Sequence, residues 1–242
     1  MAKQKKDVLK LAKSVFIFQD VLSWLDTKVP VVLEHNLQKY SAIKKTFYMT
    51  ALEELDGDYY EFGVFTGSSF VCAMRAHRKL KNLGEIKTKF FGFDSFTGFG
   101  DIAKEDEHGF YQSNIFTINE KKVLRYIRKR AKGLKYSIIK GYFEDTLKGK
   151  TCVALSKDKA RIVFIDCDLK KPTELALNYV KPALQQGTMV IMDDFYSYKG
   201  SSKKGVAGAF FEFCDRNTKI KFRRVFDYGM GGVGYVVSEI KK

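Results

Sequence analysis

Asp58-Tyr-Tyr-Glu-Phe-Gly-Val-Phe-Thr-Gly-Ser-Ser69 reads as a buried strand that ends in a glycine-bearing turn and feeds a helix. The apolar run carries Glu61, Gly63 follows it, and Gly67 precedes two serines. Glycine reaches backbone conformations closed to other residues, so such a turn lets a nucleotide-like ligand approach bare backbone. A phosphate-binding loop does not fit, because no Gly-Lys-Ser/Thr follows; the Gly-x-Gly-x-x-Gly spacing of a dinucleotide site is also absent. One glycine turn with an acid upstream suits a ligand without phosphates. S-adenosylmethionine is such a ligand, with a sulfonium and an ammonium for acidic groups to meet.

Outward from this stretch, strands and helices alternate. Apolar spacing predicts strands over about 59–64, 89–94, 136–140, 161–167 and 188–193. Helices are expected over about 68–83, 120–132, 172–184 and 204–214, with Pro172 suited to a first helical turn. Residues 221–226 and 232–237 read as two more strands joined by a glycine-rich hairpin. Residues 7–25 and 41–55 carry helical periodicity, separated by Pro30. Alternation of this kind implies an α/β, Rossmann-like fold: a mostly parallel seven-stranded sheet with a C-terminal antiparallel hairpin and helices on both faces. Residues 1–56 are expected to form a helical lid or cap, and 57–242 the main domain.

Ligands of such sheets bind beyond the carboxyl ends of the strands. There the chain places Gly63, Asp94, Gly141, Asp166 and Asp193. An acid in Asp94's position, closing the second strand, can accept hydrogen bonds from both ribose hydroxyls. Asp166-Cys-Asp168 and Asp193-Asp194 end two strands that should be neighbours. Close carboxylates repel unless a proton or cation sits among them, and hard oxygens suit magnesium or calcium. The alternative is that Asp168 and Asp194 cap following helices.

These segments together resemble the macrocin O-methyltransferase family, a class I group of S-adenosylmethionine-dependent sugar methyltransferases. The likeness is carried by Glu-Phe-Gly-Val-Phe-Thr-Gly at 61–67 and Gly-Phe-Asp-Ser-Phe-Thr-Gly at 92–98. Gly-Tyr-Phe-Glu-Asp-Thr-Leu at 141–147, Ile-Asp-Cys-Asp-Leu at 165–169 and Met-Asp-Asp-Phe at 192–195 follow in family order. The resemblance covers about residues 57–215. It implies that Glu61, Phe62, Gly63, Gly67, Ser68 and Ser69 hold the cofactor together with Asp94, Ser95, Phe96 and Gly98. Gly141 and Phe143 would lie on the adenine side, and Asp166 would also reach the cofactor. Asp166, Asp193 and Asp194 match the family's magnesium positions, and Asp166 its proposed general base. The chain departs from the pattern at Lys170 and Pro172, where tyrosine and serine are common. It departs again at Phe65 and Thr66, where an aromatic-basic pair is usual. These departures bear on the acceptor more than on the cofactor.

The expected chemistry is methyl transfer to a sugar hydroxyl of a glycan or natural product. A bound cation would stabilise the developing alkoxide while Asp166 takes the proton. A catechol-like diol is the nearest alternative acceptor. A nicotinamide-dependent oxidoreductase is disfavoured by the missing glycine fingerprint. A non-catalytic basic module is disfavoured by aspartates gathered at strand ends.

Composition sets the outer bounds. The 242 residues suit one domain, and 45% hydrophobic content supports a sizeable core. No apolar run is long enough to span a membrane, and the basic N-terminal segment lacks the apolar block of a signal peptide. Cys72, Cys152, Cys167 and Cys214 show neither metal-ligand spacing nor a paired framework, which fits a reducing cytoplasm. The net charge of +15 is scattered, as on solvated surfaces, so no nucleic-acid partner is expected. The densest basic stretch, 121–130, looks like the wet face of a packed helix. Homo-oligomerisation is left open. His108, in the long polar loop 99–119, reads as a solvated residue with a role as base as the alternative. Phe110 and Tyr111 could stack on a sugar or anchor that loop, which could itself be a lid. Trp24 reads as packing, and His35 and His77 receive no role.

Overall fold

Seven strands form a single sheet in the order β3-β2-β1-β4-β5-β7-β6. The structure is a computed structural model that describes residues 15–80 and 87–241. The strands are β1 (Asp58–Phe62), β2 (Phe90–Asp94), β3 (Tyr136–Lys140), β4 (Ala160–Ile165), β5 (Met189–Met192), β6 (Ile220–Tyr228) and β7 (Gly232–Ile240). The first five run parallel, whereas β7 is antiparallel to both β5 and β6. β1 lies between β2 and β4, so the strand order reverses there and a crevice opens beyond its carboxyl end.

The side chains of β1 explain why it is central. Tyr59 and Tyr60 are both fully buried and point to opposite faces. Tyr59 joins Phe47, Phe70, Phe90 and Phe164 beneath α2 (Val31–Leu52), α3 (Ser68–Lys79) and α4 (Glu120–Ala131). Tyr60 joins Phe93, Val163, Leu177 and Phe210 beneath α6 (Lys170–Val180) and α7 (Gly205–Arg216). In α4, Val123, Ile127 and Ala131 face inward, leaving its lysines and arginines on the wet face as expected.

α2 differs from its sequence-based expectation. It starts at Val31, directly after Pro30, rather than near residue 41. Proline suits a helix start because an N–H there has no intrahelical partner. Arg161, at 1% exposure, binds this helix to the sheet: its guanidinium donates to Thr50 Oγ1 (2.7 Å) and the Phe47 carbonyl (2.9 Å). α1 (Phe16–Asp26) precedes it, and the rest of the helix expected over 7–25 lies outside the described residues. Trp24 does not pack inward: it is 58% exposed, with Lys28 Nζ 5.4 Å from its ring centre.

Two loop features differ as well. A short helix, α5 (Phe143–Thr146), follows β3. The loop over 99–119 is fastened down. Asp106 is buried and accepts the backbone N–H groups of Lys170 (2.8 Å) and Lys171 (3.1 Å). The Tyr198 hydroxyl donates to the Asp106 carbonyl (2.8 Å). Asp106, not Asp168, therefore satisfies the start of α6. Among the described residues, no helix is long and apolar enough to cross a membrane.

Candidate active site

The turn after β1 is built mostly by protein packing. Gly63 has φ +95, and a Cβ there would lie 1.8 Å from the Asp166 carbonyl oxygen. Gly67, with φ +77, faces Ile127 and Val123 of α4. Gly63 is thus required by the Asp166 backbone, which brings the ends of β1 and β4 close together, whereas Gly67 is required chiefly by its left-handed backbone at the start of α3. Asp94 closes the turn from β2. Its Oδ2 accepts from the N–H groups of Val64 and Phe65, both at 2.7 Å, and its Oδ1 from Phe96 (2.6 Å). A carboxylate has about four acceptor positions, so about one is left for a ligand.

Glu61 lies beneath this turn and is fully buried. The Tyr59 hydroxyl and Ser69 Oγ (2.7 Å) both donate to it. Burial pushes its carboxyl up to about 7 against those bonds. Glu61, Phe62, Gly67 and Phe96 do not reach the cavity described below: Phe62 and Phe96 are core residues, and Phe62 stacks on Phe93 with ring centres 4.7 Å apart. Their place is under the site and not on its surface.

At the ends of β4 and β5, Asp166, Asp193 and Asp194 each offer an oxygen within 4.8 Å of the others. Two side chains of α2, one helical turn apart, reach into this group. Lys39 Nζ lies 3.0 Å from Asp166 Oδ2 and 2.5 Å from Asp193 Oδ2. The Met230 N–H donates to His35 Nδ1 (3.1 Å), which leaves the hydrogen on Nε2 to donate to Asp193 Oδ2 (3.1 Å). Asp193 Oδ1 is buried with no hydrogen-bond partner. Asp194 Oδ1 accepts from the Tyr111 hydroxyl (3.1 Å), so Tyr111 anchors the loop onto the site. His108 packs between Tyr111 and Tyr198. Asp168 and Asp194 hold left-handed backbone, φ 61 and φ 51, a conformation uncommon outside glycine and often found at functional sites.

The charges are unevenly balanced. Burial pushes the Asp166 and Asp168 carboxyls well above the usual range, opposed at Asp166 by Lys39 and reinforced at Asp168 by Asp194. Burial acts the same way on Asp193, but Lys39 and His35 outweigh it and hold this carboxyl well below the usual range. Burial lowers the Lys39 ammonium's affinity for its proton, and the two aspartates more than reverse that.

All of this opens onto a cavity of about 630 Å³. Of the residues singled out from sequence, Gly63, Ser68, Ser69, Asp94, Ser95, Gly98, Gly141 and Phe143 line it, as do Asp166, Asp193 and Asp194. Val31, Val32, His35 and Lys39 line it too. Sequence reasoning missed His35 and Lys39. Their signal was the i,i+4 spacing ahead of Ala42 and Ile43, readable only once the helix is carried back to Val31.

The model of the macrocin-O-methyltransferase (TylF) family matches residues 35–215. Among solved structures, the O-methyltransferase NovP is 20% identical with a TM-score of 0.67, covering 84% of this chain and 80% of that one. The calicheamicin methyltransferase CalS11 is 18% identical with a TM-score of 0.65, covering 89% and 85%. An O-methyltransferase from Bacillus cereus, solved with SAH, is 12% identical with a TM-score of 0.51, covering 89% and 94%. No curated protein matches the chain. At such identities the structural likeness speaks for the fold, that of class I methyltransferases. The family match spans well over half of the chain and carries the activity, setting aside the nicotinamide and basic-module alternatives: the chain belongs to the macrocin-O-methyltransferase family and is an S-adenosylmethionine-dependent O-methyltransferase.

Proposed function

We propose that this enzyme methylates a sugar hydroxyl of a glycan or natural product, with a divalent cation, magnesium, at Asp166, Asp193 and Asp194. The observation that carries the proposal is the convergence of these carboxylates on the same cavity as the β1 turn and Asp94. The sugar acceptor is supported by the family description, and by CalS11, whose apo structure is named a TDP-rhamnose 3'-O-methyltransferase.

The cofactor half of the cavity is assigned to the start of α3, the β2 end and the β3 end. Gly67 caps α3 without a side-chain bond, so the N–H groups of Ser68 and Ser69 suit the cofactor's carboxylate. The remaining acceptor position of Asp94 suits a ribose hydroxyl. Gly141 and Phe143 border the adenine side, and α2 roofs the acceptor side through Val31, Val32 and His35. When bound, S-adenosylmethionine supplies a methyl carbon made electrophilic by its sulfonium.

The donor set fits a divalent cation. Three carboxylates face one ammonium, Asp193 Oδ1 has no partner, and hard oxygens are the donors magnesium takes. When bound, that ion would stabilise negative charge on the acceptor oxygen. Asp166 takes the hydroxyl proton as the oxygen–methyl bond forms. The methyl–sulfur bond breaks with its electron pair going to sulfur, giving S-adenosylhomocysteine. Before the ion binds, Lys39 holds Asp166 Oδ2 in place. Much of the acceleration comes from holding the oxygen in line with methyl and sulfur. The four unpaired cysteines agree with a reducing, cytoplasmic setting.

The test pairs calorimetry with turnover. The double variant Asp193→Asn, Asp194→Asn should bind S-adenosylhomocysteine within a few-fold of the parent and lose magnesium-dependent turnover. Undiminished turnover in EDTA would remove the metal from the proposal. A labelled methyl donor offered with glycans, nucleotide sugars and catechols identifies the acceptor, and labelling of catechols alone would overturn the sugar assignment.

A further inference from the structure

We propose that Lys39 is the resident counter-ion of the aspartate trio, and that it must leave Asp166 and Asp193 before a divalent cation can bind them. The inference rests on the metal reading above and adds a determinant on α2, outside the strand ends that carry the carboxylates.

Three observations support it. Lys39 Nζ bridges Oδ2 of Asp166 and Oδ2 of Asp193, at 3.0 and 2.5 Å, so it occupies the space between two of the three acids. Asp193 Oδ2 already accepts from His35 as well, which leaves that oxygen two donors before any ion arrives. The Lys39 side chain is only 12% exposed, so its charge is little screened by water. A divalent ion and an ammonium sharing the same two carboxylates would repel each other strongly in such a site.

The fold also gives the lysine a way out. Lys39 lines the cavity and sits on a flexible four-carbon stem, so it can withdraw by rotation about side-chain bonds. Asp166 and Asp193 directly follow β4 and β5 and are tied to the neighbouring strands by their own N–H groups, which donate to the Phe62 carbonyl (2.8 Å) and the Ile165 carbonyl (2.9 Å). Without the metal, Lys39 offsets the mutual repulsion of the acids. With the metal, the freed ammonium moves into the cavity. The position of α2 thereby sets how tightly the enzyme holds its metal.

Magnesium titration by calorimetry on the full chain tests this. Lys39→Met should bind Mg2+ at least tenfold more tightly than the parent. Lys39→Arg, which keeps the charge, should bind no more tightly. In the parent, acetic anhydride labelling of the Lys39 amine, read by mass spectrometry, should rise when Mg2+ is added. This second arm decides the matter even if Lys39→Met folds poorly. Equal Mg2+ affinity in the parent and a folded Lys39→Met, or Lys39 labelling that is unchanged or falls with Mg2+, would overturn the inference alone. No Mg2+ binding by either chain would overturn it together with the metal reading.

Discussion

Glu61 shows how one buried acid acts on the whole molecule. Its carboxyl is pushed up to about 7 by burial, while Tyr59, Ser69 and Lys39 pull it down and Asp94 adds to the rise. Between about pH 4.5 and 7 the folded state holds this proton and the unfolded chain does not. Stability therefore falls as pH rises through that window, by roughly 3 kcal/mol at 1.36 kcal/mol per pH unit. Glu61→Gln, which stays neutral, should flatten that part of the curve. Melting temperatures of both proteins from pH 4.5 to 8 give the comparison, and parallel curves would show that Glu61 is ionised throughout. The sequence marked Glu61 as special, but as a cofactor ligand. Only burial reveals it as the support of the turn.

At the scale of elements, the β1 turn and α2 make separate predictions. Gly63→Ala places a Cβ 1.8 Å from the Asp166 carbonyl on a backbone of φ +95, so the backbone at the end of β4 must shift. A loss of about 4 kcal/mol or more is expected, with cofactor binding lost. Gly133→Ala is the control: its φ is +83 but nothing lies within 4 Å, so about 1 kcal/mol should be lost. Chemical denaturation of the two variants separates close approach from backbone strain. Arg161→Ala should cost about 3 kcal/mol, through the lost packing and the hydrogen bonds to Thr50 and Phe47. Because α2 also carries His35 and Lys39, that variant should lose turnover at temperatures where it remains folded. Undiminished turnover would show that Arg161 does not hold the α2 end of the site.

For the whole molecule, cofactor binding should appear as stability. At a hundredfold excess over its dissociation constant, S-adenosylhomocysteine should add about 2.7 kcal/mol, seen as a rise in melting temperature. NADH should add nothing, and a rise with NADH alone would contradict the assigned cofactor. The sequence by itself determined the parallel sheet with its terminal hairpin and the set of strand-end acids. Apolar alternation and glycine placement are local properties, and each is written in a few neighbouring residues. The tertiary structure decided which of those residues face the cavity. Phe62 and Phe96 turn into the core, and the glycine turn proves to be shaped by Asp166 and α4. It alone brought Lys39 and His35 to acids more than a hundred residues away, because the sheet order, not the chain order, sets what lies beside the end of β5. Contacts of that range leave no periodic trace in the sequence, since a lysine on a helix reads as solvated until the helix is docked.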